Sequence, residues 1–182
     1  RRLPPLILMT DEDRLPDPLA AIRAMPKGAA VILRHTDPDQ RARLAERIIP
    51  AAHAYGLAVL IANDAALSAR LGADGVHLSE AHASVALRWK ASRPTWLITA
   101  AAHSARAIVG AAACGADAVL LSPVFPTRSH AGQSGLGAAR FRLLAQTAPV
   151  PVYALGGINA RNAAALAGGN IAGIAAIEAL TP

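Results

Sequence analysis

The sequence predicts an α/β protein, a compact (β/α)8 TIM barrel whose last helix is short or missing. Two observations predict this fold. Short apolar runs recur at a regular spacing, and amphipathic stretches separate them. Continuous apolar runs that alternate with helical stretches are typical of parallel strands buried on both faces. The eight runs are Leu6–Met9, Ala30–Leu33, Ala58–Ile61, Gly75–Leu78, Trp96–Ile98, Ala118–Leu121, Val150–Leu155 and Ile171–Ile177.

The length and composition of the chain suit a small version of this fold. The chain has 182 residues, of which 53% are hydrophobic and 16% are charged, whereas ~250 residues are typical of such barrels. Its many alanines allow thin, closely packed helices, and the sequence ends soon after the eighth apolar run. We therefore expect one barrel domain over residues 1–182. A doubly wound open sheet is the alternative, although no Gly-x-Gly-x-x-Gly motif follows the first run.

Three of the stretches between the runs carry residues that typically begin and end helices. Each begins with an aspartate, a serine or an asparagine, which are the residues that cap helices best. A glycine follows the end of each stretch within two residues, and glycine is a frequent stop signal. The predicted helices are Asp37–Tyr55, Ser104–Ala113 and Asn159–Leu166.

The charge and hydropathy of the chain argue against two classes of partner. The formal net charge is +6, yet the basic residues are scattered and aromatic residues make up only 3%. Surfaces that bind nucleic acid combine a basic patch with stacking aromatics, so we expect no nucleic-acid partner. No apolar run reaches the ~18 residues that a membrane-spanning helix needs, so we expect no membrane partner. The single cysteine, Cys114, excludes a disulfide framework within one chain and fits a cytoplasmic location.

Polar residues follow several predicted strands, at the end where (β/α)8 barrels place their sites. Gly156 and Gly157 follow the seventh strand, and such a pair lets backbone N–H groups approach a phosphate or forms a plain tight turn. Arg34 follows the second strand, where an arginine needs an anion or an acceptor as its partner. Asn63 and Asp64 follow the third strand, where they cap a helix or hold a cation.

Three histidines follow other strands without forming a recognisable metal motif. His82, His103 and His130 come after the fourth, fifth and sixth strands. Their spacing matches no compact ligand pattern, so we do not expect a three-histidine metal site. His77 lies within the fourth strand, and we interpret it as a structural histidine.

Six short strings are spread in order over nearly the whole chain: Leu60–Asp64, Leu71–Leu78, Ala102–Ser104, Gly115–Asp117, Ser122–Thr127 and Ala154–Ile158. Together they resemble the thiamine phosphate synthase/TenI family. The resemblance implies a (β/α)8 barrel, in agreement with the eight runs. It also implies an enzyme of thiamine biosynthesis that joins a pyrimidine diphosphate to a thiazole phosphate and releases pyrophosphate. Magnesium then assists the departure of the pyrophosphate by neutralising its charge.

The resemblance also implies roles for residues at the strand ends. Arg34 meets the pyrophosphate, Asn63 meets the pyrimidine, and Asp64 binds the magnesium ion. The thiazole phosphate binds to the turn after the seventh strand and to the backbone after the eighth, and the loop after the sixth supplies further residues that bind substrate or phosphate. The residues that match these three segments are Gly156, Gly157, Ile177, Glu178, Thr127, Arg128 and Ser129. His130 follows Ser129 and is a candidate catalytic residue.

The chain departs from the family pattern on the side of the diphosphate and the metal. Thr36 and His130 replace two lysines, and Ala101 replaces a serine. His82 stands where the pattern has a second magnesium-binding aspartate. Because single donors of this kind contribute ~3 kcal/mol to the stabilisation of a transition state, these losses predict weaker electrostatic catalysis.

Two other functions are therefore kept as alternatives. One is a TenI-like thiazole tautomerase, a metal-free isomerase in which His103 or His130 acts as the base, because Pro123 replaces the usual histidine. The other is a non-catalytic binder or regulator that retains the phosphate site and needs no cofactor. In every case the expected partner is a small phosphorylated metabolite. A homo-oligomer is a further expectation, since a missing last helix leaves apolar surface that a second chain covers.

Overall fold

The computed structural model describes residues 2–128 and 134–178, and the eight strands in these residues form one closed barrel. Consecutive strands pair in parallel, and the eighth pairs with the first to close the barrel. The predicted (β/α)8 barrel is confirmed. The strands are β1 (Leu6–Met9), β2 (Ala30–Leu33), β3 (Ala58–Ala62), β4 (Gly75–Leu78), β5 (Leu97–Ala102), β6 (Ala118–Leu121), β7 (Val152–Leu155) and β8 (Ile171–Ala176).

Helices connect the strands on the outside of the barrel. Two predicted helix starts are confirmed by their caps, since Asp37 Oδ1 accepts the N–H of Gln40 at 2.6 Å and Ser104 Oγ accepts the N–H of Ala107 at 3.1 Å. In the part of the chain that the structure describes, every helix is too short or too polar to cross a membrane. The helices are α1 (Pro18–Ala24), α2 (Pro38–Ala54), α3 (Ala65–Leu71), α4 (Ala86–Ser92), α5 (Ala105–Ala113) and α6 (Gly137–Thr147), with 3-10 turns over Glu80–Val85 and Ala163–Leu166.

The predicted helix over Asn159–Leu166 is wrong in its first half. Only Ala163–Leu166 is helical, and it is a 3-10 turn. The two asparagines before it bind backbone groups instead: Asn159 Oδ1 accepts the N–H of Arg161 at 2.9 Å, and Asn162 Oδ1 accepts the N–H of Asn159 at 2.8 Å. Such local side-chain hydrogen bonds compete with helix formation. Residues 179–182 lie outside the described residues, so the expectation that the last helix is short or missing stays a prediction.

Alternate side chains of the strands fill the interior of the barrel. Leu60, Leu97, Leu120 and Tyr153 are all almost completely buried in one cluster, as the alternation of side chains along a strand requires. The hydroxyl of Tyr153 donates a hydrogen bond to the carbonyl of Pro4 at 2.7 Å. The interior is therefore a packed core, and any ligand site must lie at one of its ends.

The two Gly-Ala-Asp strings, which contributed to the resemblance, have a structural role at the amino ends of the strands. Asp74 Oδ2 accepts the N–H of Val59 in β3 at 2.8 Å, and Asp117 Oδ2 accepts the N–H of Ile98 in β5 at 2.8 Å. Each carboxylate thus ties one strand to the loop before the next. Asp117 is itself paired with Lys90 at 2.6 Å.

Candidate functional site

A cavity of about 690 Å³ opens at the carboxyl ends of the strands. A second cavity, of about 770 Å³, lies at the opposite end of the barrel and is lined by Asp74, Lys90 and Asp117. These three charged side chains are already engaged in the ties between strands. The cavity at the carboxyl ends is therefore the candidate site, as expected for this fold.

Most of the residues that the sequence singled out line this pocket, although they are far apart along the chain. Asp64 and His82 are not among the lining residues. Ser129 and His130 lie outside the described residues. The predicted residues that line the pocket are Arg34, Asn63, His103, Thr127, Arg128, Gly156, Gly157, Ile177 and Glu178.

The glycine turn after β7 packs tightly against the loop after β6. Gly156 and Gly157 have φ values of 97° and 63°, in the left-handed region that favours glycine. A Cβ on Gly157 would overlap the carbonyl oxygen of Pro126. The carbonyl of Gly156 also accepts the N–H of Phe125 at 3.0 Å. The turn is thus held rigidly at the wall of the pocket.

Glu178 at the end of β8 does not leave an unpaired negative charge beside this turn. Arg128, in the loop after β6, places its Nη2 atom 2.8 Å from both carboxylate oxygens of Glu178. The arginine side chain is 77% exposed and the glutamate 42%. A lone carboxylate at this position would repel a phosphate on the turn, and the ion pair reduces that repulsion.

Arg34 has an acidic partner, as its position after β2 predicted, and a second arginine contacts the same carboxylate. Asp11, in the loop after β1, has its Oδ2 atom 2.6 Å from Arg34 Nη2 and 3.1 Å from Arg14 Nη2. Burial acts to raise the pKa of Asp11, but the hydrogen bonds and charge of Arg14, with the charge of Arg34, lower it to about 2. Arg14 also lines the pocket and was missed by the sequence reasoning. Its signal was a lone arginine after three acidic residues at a strand end.

Asn63 and Asp64 both have structural partners. Asn63 adopts a φ of 53°, and its Oδ1 atom accepts the N–H of Ser79 at 2.8 Å, which links the loops after β3 and β4. Asp64 caps α3, since its Oδ1 atom accepts the N–H of Leu67 at 2.9 Å. Its other oxygen, Oδ2, lies 3.1 Å from Arg41 Nη2. The capping role that the sequence allowed for this pair is confirmed for Asp64.

These side chains do not form a donor set suited to magnesium. Mg²⁺ prefers oxygen ligands in an octahedral arrangement, but Arg41 already lies against Asp64 and His82 offers an imidazole whose Nδ1 atom is 2.7 Å from Ser79 Oγ. Within residues 2–128 and 134–178, no group of three histidine, cysteine or acidic side chains is placed to hold a metal ion. Asp64 is therefore the one carboxylate at the two positions that the resemblance gives to the ion, and because its Oδ2 atom is taken by Arg41, these side chains fit magnesium poorly.

His103 is held by a carboxylate at the pocket wall. Glu80, in the 3-10 turn after β4, has its Oε2 atom 2.7 Å from His103 Nδ1, and the same oxygen accepts the backbone N–H of His103 at 3.0 Å. A carboxylate bonded to Nδ1 fixes the tautomer and the orientation of an imidazole. His77, by contrast, is a buried residue of β4. Its burial, with a smaller effect of the Arg34 charge, lowers the pKa of the imidazole to about 4. His77 bonds Thr99 at 2.9 Å, which agrees with a structural role.

This fold and this pocket define a class: the (β/α)8-barrel proteins that carry their site at the carboxyl ends of the strands. The profile described as "Thiamine monophosphate synthase" matches residues 6–180. The thiamine-phosphate synthase of Chlorobium luteolum is 36% identical over 182 residues, covering 98% of this chain and 85% of that protein. The thiamine-phosphate synthase of Salinispora arenicola is 33% identical over 184 residues, covering 97% and 88%. The chain belongs to the thiamine monophosphate synthase family.

A solved structure supports the fold. The thiamine phosphate pyrophosphorylase from Pyrococcus furiosus superposes with a TM-score of 0.78 at 23% sequence identity. The superposition covers 96% of this chain and 85% of the other. The similarity extends to the whole barrel rather than to one part of it.

Proposed function

We propose that this chain is a thiamine-phosphate synthase that joins hydroxymethylpyrimidine diphosphate to thiazole phosphate and releases pyrophosphate. The observation that carries the proposal is that one pocket has anion-binding groups at two separate strand ends. Arg34 follows β2, and the Gly156-Gly157 turn follows β7. The reaction brings together two phosphorylated substrates, and the relatives at 36% and 33% identity are named thiamine-phosphate synthases.

Each group has a role that follows from its chemistry. Arg34 binds the diphosphate, and its guanidinium stabilises the charge that develops on the departing oxygen. Asn63 lines the pocket and binds the pyrimidine in this proposal, a role that the family resemblance implies. The backbone amides of the Gly156-Gly157 turn and of Ile177 bind the thiazole phosphate, with Thr127 and Arg128 beside it.

The reaction breaks one bond and forms one. The bond between the methylene carbon of the pyrimidine and the diphosphate oxygen breaks, and the oxygen keeps the electron pair. The thiazole nitrogen forms the new bond to that carbon. The pocket holds the two substrates next to each other, which removes most of the entropic cost of their meeting.

These two metabolites are the proposed partners of the chain. A homo-oligomer and a cytoplasmic location stay predictions.

The proposal is tested by measuring turnover directly. Both substrates are supplied to the full chain, once with magnesium and once with EDTA, and the product is oxidised to fluorescent thiochrome. We expect product above the blank without enzyme. A second synthase of known activity serves as the control, and absence of product from this chain beside an active control contradicts the proposal.

The pairing of His103 with Glu80 favours a second candidate, the thiazole tautomerase. An imidazole oriented by a carboxylate suits a proton transfer that needs no metal. A tautomerase that uses His103 is expected to isomerise the thiazole phosphate in the presence of EDTA. Its rate is expected to fall by about 100- to 10,000-fold in His103→Ala. The change is followed by NMR of the thiazole phosphate. Isomerisation at the wild-type rate in His103→Ala excludes this candidate as argued from His103.

A further inference from the structure

Asp11 holds two guanidinium groups together at one edge of the pocket. Arg14 belongs to the loop after β1 and Arg34 follows β2, and both contact the same oxygen of Asp11 through Nη2. Asp11 is fixed in turn, because its Oδ1 atom accepts the backbone N–H groups of Asp13 and Arg14 at 3.3 and 3.1 Å. The three side chains carry a net charge of +1, since two cations share one anion.

The two guanidiniums retain donors for a ligand. A guanidinium has five N–H donors in a planar fork, and Asp11 uses one nitrogen of each. Among the residues that the structure describes, the Nε and Nη1 atoms of Arg14 and Arg34 bond no other acceptor. Arg14 is 18% exposed and Arg34 45%, and both line the pocket.

Arg14 and Arg34 are the cationic side chains that line this edge of the pocket, because the neighbouring polar groups are bonded elsewhere. Thr36 stands at the position of a family lysine, and the carboxylate of Glu12 accepts its N–H and hydroxyl at 2.7 and 2.9 Å. Arg41 is only 15% exposed and is directed to Asp64 and to the carbonyl of His35. Neither Thr36 nor Arg41 is among the residues that line the pocket.

We propose that Arg14 is a diphosphate-binding residue and that Arg14 and Arg34, held together by Asp11, bind the diphosphate group without a magnesium ion. The inference rests on the proposed function, which supplies a diphosphate substrate. Two guanidiniums held by one carboxylate present planar pairs of N–H donors to the several oxygens of a diphosphate. A lysine, by comparison, contacts these oxygens only as a point charge. The arrangement replaces the cations that the chain lacks, since the donors around Asp64 do not suit Mg²⁺.

The test is the binding of inorganic pyrophosphate to the full chain, measured by isothermal titration calorimetry in EDTA. We expect binding without added metal and about 10- to 100-fold weaker binding in Arg14→Gln, because a hydrogen bond to a charged group is lost. Arg14→Lys retains the charge without the fork, so we expect an intermediate affinity. Arg23→Gln is the matched control, since Arg23 is an exposed arginine of α1 outside the pocket, and it is expected to bind as the wild type does.

Two outcomes overturn the inference. One is pyrophosphate binding that appears only when magnesium is added. The other is a folded Arg14→Gln variant, with unchanged circular dichroism, that binds pyrophosphate like the wild type. The proposed function fails separately, in the thiochrome assay, so metal-free pyrophosphate binding that depends on Arg14 supports the inference even where no thiamine phosphate forms.

Discussion

Arg34→Ala is expected to lower kcat/KM for the pyrimidine diphosphate by about 100- to 1000-fold, the usual cost of removing one preorganised donor for developing negative charge. The guanidinium lies in the pocket and is oriented by Asp11 at 2.6 Å. In the proposed reaction, negative charge grows on the departing pyrophosphate, so the loss falls on kcat as well as on KM. The measurement is a steady-state thiochrome assay with each substrate varied in turn.

Two variants show whether the effect belongs to the chemistry. Arg34→Lys keeps the charge without the planar fork, so we expect only partial recovery of kcat/KM. Arg47→Ala removes an exposed arginine of α2 outside the pocket and is expected to leave kcat/KM unchanged. Because the Arg34 side chain is 45% exposed, its removal changes the free energy of unfolding by only about 0–1 kcal/mol. Wild-type kinetics in Arg34→Ala contradicts the assigned role.

The strands were predictable because their apolar runs are short and continuous. The runs predicted for β1, β2, β4 and β6 have the bounds that the structure shows. The prediction for β5 stopped at Ile98, whereas the strand extends to Ala102. Alanine is depleted in strands, so Ala100–Ala102 carry no strand signal of their own. Ala100 pairs with both β4 and β6, and Ala101 and Ala102 pair with β6, so the pairing places all three in the sheet.

The candidate site was predictable in position but not in its pairings. Barrel topology brings the strand ends together, so Arg34 was assigned to the site from its place after β2. The choice of Asp11 as its partner depends on how two loops fold against each other, and no periodicity encodes that. The same holds for Arg41, a helix residue that approaches Asp64 from 23 positions away along the chain. Arg14 is the fifth residue after the end of β1, so its place in the sequence does not by itself assign it to the site.

Gly157→Ala is expected to abolish most binding of the thiazole phosphate and to lower kcat/KM by at least ~100-fold, because small displacements of positioning groups have effects of this size. Gly157 has a φ of 63°, and a Cβ there would overlap Pro126 O and lie 2.9 Å from the carbonyl carbon of Phe125. Both are backbone atoms, so the turn or the β6 loop must move. We expect the left-handed backbone and the contact together to lower the free energy of unfolding by about 2–5 kcal/mol.

Gly72→Ala separates the two causes. Gly72 has a nearly equal φ of 72° and ends α3, and a Cβ added there would meet no atom within 4 Å. It precedes β4, so it lies at the opposite end of the barrel from the pocket. We expect Gly72→Ala to lower the free energy of unfolding by about 1–2 kcal/mol through backbone strain alone and to leave the kinetics unchanged. Urea unfolding and titration with thiazole phosphate measure both effects. A Cβ on Gly157 cannot be added beside the loop after β6 without displacing the backbone amides of the turn. A folded Gly157→Ala variant that binds thiazole phosphate like the wild type therefore contradicts the assignment of the phosphate to this turn.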